Sequence, residues 1–152
     1  MLFWSALFIA TALPDLIPRP AVSLVGCTSL QSVDVQLNLH SGALGSDLRK
    51  DVIPMLSSLL PGPRGKLTQI TFKSWVIEDL HSHIENDSVH TWISRLEDVL
   101  MQLCETRGVK EISFRLEDDE NRQDVAAENF SALRDALPRL GASGIMRVVI
   151  YR

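Results

Sequence analysis

The sequence predicts an α/β fold, a short array of strand-then-helix units whose strands form a parallel, curved sheet with helices on one face. Two observations carry this. Four segments repeat one apolar pattern, at their first, fourth and sixth positions: Leu30, Val33, Val35; Leu67, Ile70, Phe72; Val109, Ile112, Phe114; and Ile145, Val148, Ile150. Their first residues are spaced by 37, 42 and 36. Alternation within each segment is that of a strand with one buried face. Between the segments the apolar period lengthens to that of a helix. Connections of this length join parallel strands by crossovers. Because consecutive units look alike, sequence neighbours should stack as spatial neighbours, leaving the far face of the sheet open to a partner.

Taken in order, the chain divides into an apolar N-terminal segment, residues 1–20, and a strand-helix repeat domain, residues 21–152. The first segment is predicted to be a buried terminal helix or a remnant of a longer chain. Its Ala10-Thr11-Ala12 triplet resembles a signal-peptidase site, which makes a small secreted protein with a cleaved N-terminal signal the alternative. Against that, no Lys or Arg precedes the apolar stretch, and the stretch is too short to span a bilayer. The first strand of the repeat domain continues its alternation through Leu37 and Leu39. Leu48, Val52, Met55, Leu56 and Leu59 then mark a helix that Pro54 kinks or starts and Pro61-Gly62-Pro63 closes.

After the second strand, the stretch holding His81 and His83 reads as a solvated connector. Val89, Trp92, Ile93, Leu96, Val99, Leu100 and Leu103 then fall at i, i+3, i+4, i+7 spacing. Asp87 or Ser88 is placed to cap this helix, and Gly108 to end it in a left-handed turn. The third strand runs into Glu117-Asp118-Asp119-Glu120, where like charge predicts a wet loop. Ala126, Phe130, Leu133 and Leu137 mark the last helix. Trp92, Phe72, Phe114 and Phe130 fall on core-facing positions.

Composition narrows the function. With 45% hydrophobic and 22% charged residues, this is an ordinary globular chain. Its net charge of -4, with no stripe of Lys and Arg, argues against nucleic acid as a partner. Cys27 and Cys104 lie 77 positions apart without a C-x-x-C pair, so free thiols in a reducing compartment, cytoplasm or nucleus, are expected.

Candidate chemistry is sparse. His81, His83 and His90, with Glu78 and Asp79 nearby, are the best cluster for metal or acid–base work and the basis of a hydrolase reading. They lack the i, i+4 spacing of a metal-binding helix, and His90 stands beside Val89, off the apolar stripe. No G-x-S-x-G elbow or phosphate loop occurs. No catalytic residue, cofactor or metal is therefore assigned.

What remains is the exposed sheet face. Strand parity aligns Asp34, Thr71, Ser113 and Val149 in one row and Gln36, Lys73, Arg115 and Tyr151 in the next, extended by Asn38, Trp75 and Glu117. Gln36, Lys73, Trp75, Arg115 and Tyr151 are predicted to bind a protein partner, since Arg and aromatic side chains carry most energy at interfaces.

The stretch from Val22 to Leu30 resembles a leucine-rich-repeat core, and that resemblance implies that Cys27 is structural, satisfying nearby backbone groups. The closing Leu137–Val148 segment, Trp92 in its helix and the Val109–Leu116 strand resemble the C-terminal leucine-rich-repeat-like region of fungal F-box proteins, over roughly residues 21 to 152. Such a resemblance implies a protein-binding module, the substrate-recognition part of a ubiquitin ligase adaptor. Ligase machinery is implied as a partner only through an F-box. The Leu-Pro opening at Ala12–Pro18 is like the start of that motif, but the helical bundle of an F-box does not follow it.

Overall fold

The computed structural model describes residues 5–9, by backbone alone, 23–39 and 44–151. Four strands, β2 (Ser32–Gln36), β3 (Gln69–Trp75), β4 (Glu111–Glu117) and β5 (Met146–Tyr151), form an open, all-parallel sheet. A further strand, β1 (Ser5–Ile9), pairs parallel with β2, so the spatial order β1-β2-β3-β4-β5 is the chain order. Residues 5–9 are therefore extended, not helical as predicted. A five-residue apolar run has strand length, and periodicity alone cannot distinguish it from a helical segment. The Ala10-Thr11-Ala12 triplet lies outside the described residues.

Helices supply the second layer. They are α1 (Leu44–Asp47), a π-helical turn (Leu48–Val52), α2 (Ile53–Ser57), α3 (Leu80–Glu85), α4 (Asp87–Arg107), α5 (Gln123–Ala136) and α6 (Pro138–Ser143). Among the described residues no helix is long and apolar enough to cross a membrane. The predicted strand residues Val33, Val35, Ile70, Phe72, Ile112 and Phe114 are all buried and share one core with the helical stripe. Phe72 and Phe114, directly paired across the ladder, stack with ring centroids 4.9 Å apart, a geometry that adds to their area burial. Leu37 and Leu39 stay buried beyond the end of β2, as their alternation predicts.

Pro54 explains the π turn. A proline inside a helix lacks an N–H and its ring crowds the carbonyl four residues back. Here the helix widens just before it: the Ile53 N–H reaches back five residues to the Leu48 carbonyl, and a new α turn starts with Pro54 in its first positions. At α4 the cap falls one residue earlier than predicted. Asn86 Oδ1 accepts from the Ser88 N–H at 3.1 Å and from its hydroxyl at 2.8 Å, while Gly108, with φ +70°, ends the helix as expected. The stretch holding His81 and His83 is helical rather than a connector loop.

Three buried polar side chains bind the layers together. Asn129 of α5, fully buried, accepts from the Ile77 N–H (3.0 Å) and donates to the Ile77 carbonyl (2.7 Å), so it substitutes for a strand neighbour just past the end of β3. Glu97 of α4 accepts from the backbone N–H groups of Arg139 (2.7 Å) and Leu140 (3.0 Å), capping α6 from a neighbouring helix. Arg107, at the end of α4, donates to the carbonyls of Leu59 and Pro63. Gly62 is required there, because a Cβ would stand 2.6 Å from Arg107 Nη1. The Pro61–Lys66 stretch is an exposed turn, but it is anchored by this buried arginine.

Four expectations need correction. Cys27 is exposed in a turn and does not serve the core, so the Val22–Leu30 stretch lacks a buried cysteine satisfying backbone groups. Trp92 is only partly buried, its ring lying under the guanidinium groups of Arg95 (5.0 Å) and Arg49 (6.0 Å). Phe130 is likewise half covered, with Arg134 over its ring at 5.4 Å. In these two cases the aromatic lies at the border of its helical stripe and an arginine stem completes the cover. Asp118, expected in a wet loop, is 2% exposed. It follows β4 on the core-facing parity, and its N–H bonds the Tyr151 carbonyl, which keeps it within the sheet.

Candidate protein-interaction face

All described helices pack against the face of the sheet that carries Val33, Ile70 and Ile112, and the opposite face is polar. Ladder register sets its rows. Asp34, Thr71, Ser113 and Arg147 stand side by side, then Gln36, Lys73, Arg115 and Val149, then Trp75, Glu117 and Tyr151. The predicted rows hold from β2 to β4. At β5 they are displaced by two residues, because Met146 rather than Val148 pairs with Ile112. A slip of two preserves which side chains face outward, so the apolar pattern alone does not distinguish the two registers.

Tyr151 nevertheless meets Arg115, now on the diagonal, with the guanidinium carbon 3.9 Å from the ring centroid. Arg115 Nε is shielded from solvent and has no hydrogen-bond partner. Trp75 and Tyr151 flank Glu117 in the last row and are, among the described residues, the most exposed aromatic side chains, at 45% and 39%. Lys73 is occupied differently. Its ammonium pairs with Asp34 Oδ2 at 2.7 Å, both side chains being about a quarter exposed (28% and 29%). Gln36 lies beside Lys73, half exposed.

The lower part of the face is knit by its own side chains. Glu111 accepts from Ser113 Oγ (2.7 Å), Gln69 Nε2 (3.2 Å) and Arg147 Nη1 (3.3 Å). The Ser113 hydroxyl, and after it Arg147, hold the Glu111 carboxyl below the usual carboxylate range by stabilising its charged form. Thr71 and Ser113, short side chains between these long ones, are covered to 5% exposure. Polar contacts therefore saturate the amino end of the face, while the carboxyl end presents Trp75, Tyr151 and a guanidinium without a carboxylate of its own.

Elsewhere the geometry offers less chemistry. His90 and His83 are exposed and His81 half-exposed, and among the described residues no three His, Cys, Asp or Glu side chains are grouped to hold a metal. A small void between sheet and helices is lined by apolar side chains alone, Leu37, Leu44, Phe114, Leu133 and Leu137 among them, so it holds no group to orient a polar substrate. Burial, and secondarily Glu105, push the Cys104 thiol up, leaving it a poor nucleophile.

Sequence reasoning missed Glu97, Arg107 and Asn129. All three stand on helical-stripe positions: Glu97 is four after Ile93, Arg107 four after Leu103, and Asn129 three after Ala126. A polar residue on the apolar stripe is the signal that finds them. Comparison with family models, with curated proteins and with solved structures returns no match.

Proposed function

We propose that this protein is a non-enzymatic protein-interaction module that docks its partner on the carboxyl end of the open sheet face. One observation carries the proposal: Arg115 lies over Tyr151 beside the exposed Trp75, on the side of the sheet opposite every described helix. Aromatic and Arg side chains that are already ordered lose little freedom on binding, which is why they dominate interface energetics. Sheet order following chain order, with helices on one side, supports a leucine-rich-repeat-like array. A substrate-recognition role in an F-box-type ubiquitin ligase adaptor is the form of that function the family resemblance implies. The exposed free thiol of Cys27 supports a reducing compartment, cytoplasm or nucleus.

Affinity capture with Arg115→Glu and, as a control on the helical side, Arg95→Glu tests this. A partner recovered by the native protein and the control but lost with Arg115→Glu supports the face. A partner retained by a folded Arg115→Glu variant removes it.

A further inference from the structure

From the free edge of β5 we infer a second interaction surface, for a second copy of this chain. In the β4–β5 ladder the Ile112 N–H donates to the Ile145 carbonyl (3.1 Å) and the Asp118 N–H to the Tyr151 carbonyl (2.8 Å). In a parallel ladder the bonded residues of one strand alternate. The odd-numbered residues of β5 therefore serve β4, and Met146, Val148 and Ile150 aim their N–H and C=O groups away from it, along an edge with no described neighbour.

The same three residues point their side chains to the core side and are only partly buried, whereas Ile112, Phe114 and Leu116 on the adjacent strand are 3% exposed or less. β5 has no proline, lysine or inward-pointing charge to protect its edge, and its one charged side chain, Arg147, stands on the outer face paired with Glu111.

Self-complementarity identifies the occupant. A two-fold axis at Val148 sets two β5 strands antiparallel, with Met146 against the partner's Ile150 and Val148 against its own copy. Every outward backbone group of the three residues is then paired, and the half-exposed row becomes continuous apolar contact. On the outer face the axis sets Arg147 against the partner's Val149, so no like charges are directly opposed. Each Arg147 is also matched by its own Glu111 at 3.3 Å. The result is a sheet continuous across two copies, with both Arg115–Tyr151 patches on one side. This assembly is independent of whether that patch binds anything.

Sedimentation equilibrium on the full chain, native and Val148→Pro, tests it. The proline removes an edge N–H that serves no bond among the described residues and leaves the β4 ladder intact. The native protein should dimerise, and the folded variant should be monomeric. To place the axis, and to decide the matter should the proline variant fail to fold, Val148→Cys and Tyr151→Cys are oxidised in a Cys27→Ser, Cys104→Ser background. Directly opposed residues lie about 5.5 Å apart between Cα atoms, within disulfide reach, whereas residue 151 and its copy are about 20 Å apart. Crosslinking at 148 and not at 151 supports the dimer. A monomeric native protein, a dimer that survives in folded Val148→Pro, or no selective crosslink at 148 overturns it.

Discussion

Buried polar groups are treated differently in two regions of this molecule. In the helical layer, Asn129, Glu97 and Arg107 each hold backbone groups of another element, and Arg107 Nη2 is the one atom of the three left unpaired. At the carboxyl rim of the sheet the reverse holds. Asn38 Oδ1, Ser74 Oγ, Arg115 Nε and both carboxylate oxygens of Asp118 are shielded yet have no hydrogen-bond partner. A satisfied buried group specifies one arrangement, and an unsatisfied one costs its desolvation. Stability is thus concentrated where the layers meet, and polar capacity is left unspent at the rim where parallel sheets present their loops.

That contrast can be broken from the stable side first. Asn129→Ala orphans the N–H and C=O of Ile77 together and should cost about 3 kcal/mol in urea unfolding. Asn129→Asp, which can accept but not donate when ionised, should recover only part of that. Next in size, Glu97→Ala removes a buried cap from α6 and should cost about 2 kcal/mol. Hydrogen exchange at Arg139 and Leu140 should rise ahead of exchange in β3, and equal protection of all three in the variant would refute the cap.

From the rim the sign inverts. Asp118→Asn removes a buried carboxylate that has no partner and should raise stability by about 1 kcal/mol, read as a higher melting temperature. A loss would show that the carboxylate supports the β4–α5 turn in a way its geometry does not indicate. The smallest effect lies on the outer face. Because the folded Glu111 carboxyl is held low, the native chain binds fewer protons there than the unfolded chain. Its contribution to stability is present above the unfolded carboxyl pKa and is lost as pH falls through the folded one. Glu111→Gln should therefore flatten the acid limb of the stability curve slightly, measured by urea midpoints at neutral and acid pH.

Much of the core was legible beforehand, and the reasons differ by element. Val33, Ile70 and Ile112 could be assigned because period-two alternation marks one strand face whatever the register. The β4–β5 register could not, since Ile145, Met146 and Val148 are all apolar and a shift of two keeps every side chain on its face. Residues 5–9 were misread because their partner strand, not their own pattern, makes them extended. On the candidate face, Lys73 and Arg115 were correctly set side by side by parity. Parity also set Tyr151 beside Arg115, though in one row rather than on the diagonal; what it could not show is that Asp34 would engage Lys73, because that choice depends on diagonal reach across neighbouring strands.

The sequential strand order has a kinetic consequence. In β1-β2-β3-β4-β5 every ladder joins segments about 40 residues apart or less, and no strand must wait for a distant part of the chain to arrive. For a parallel sheet, whose non-local pairings ordinarily make folding slow, this keeps each closure short and alike. Structure can then begin at the best-packed pair, β3 on β4 with Phe72 against Phe114, and extend outward strand by strand, so that the edges are the last parts to form and the first to open.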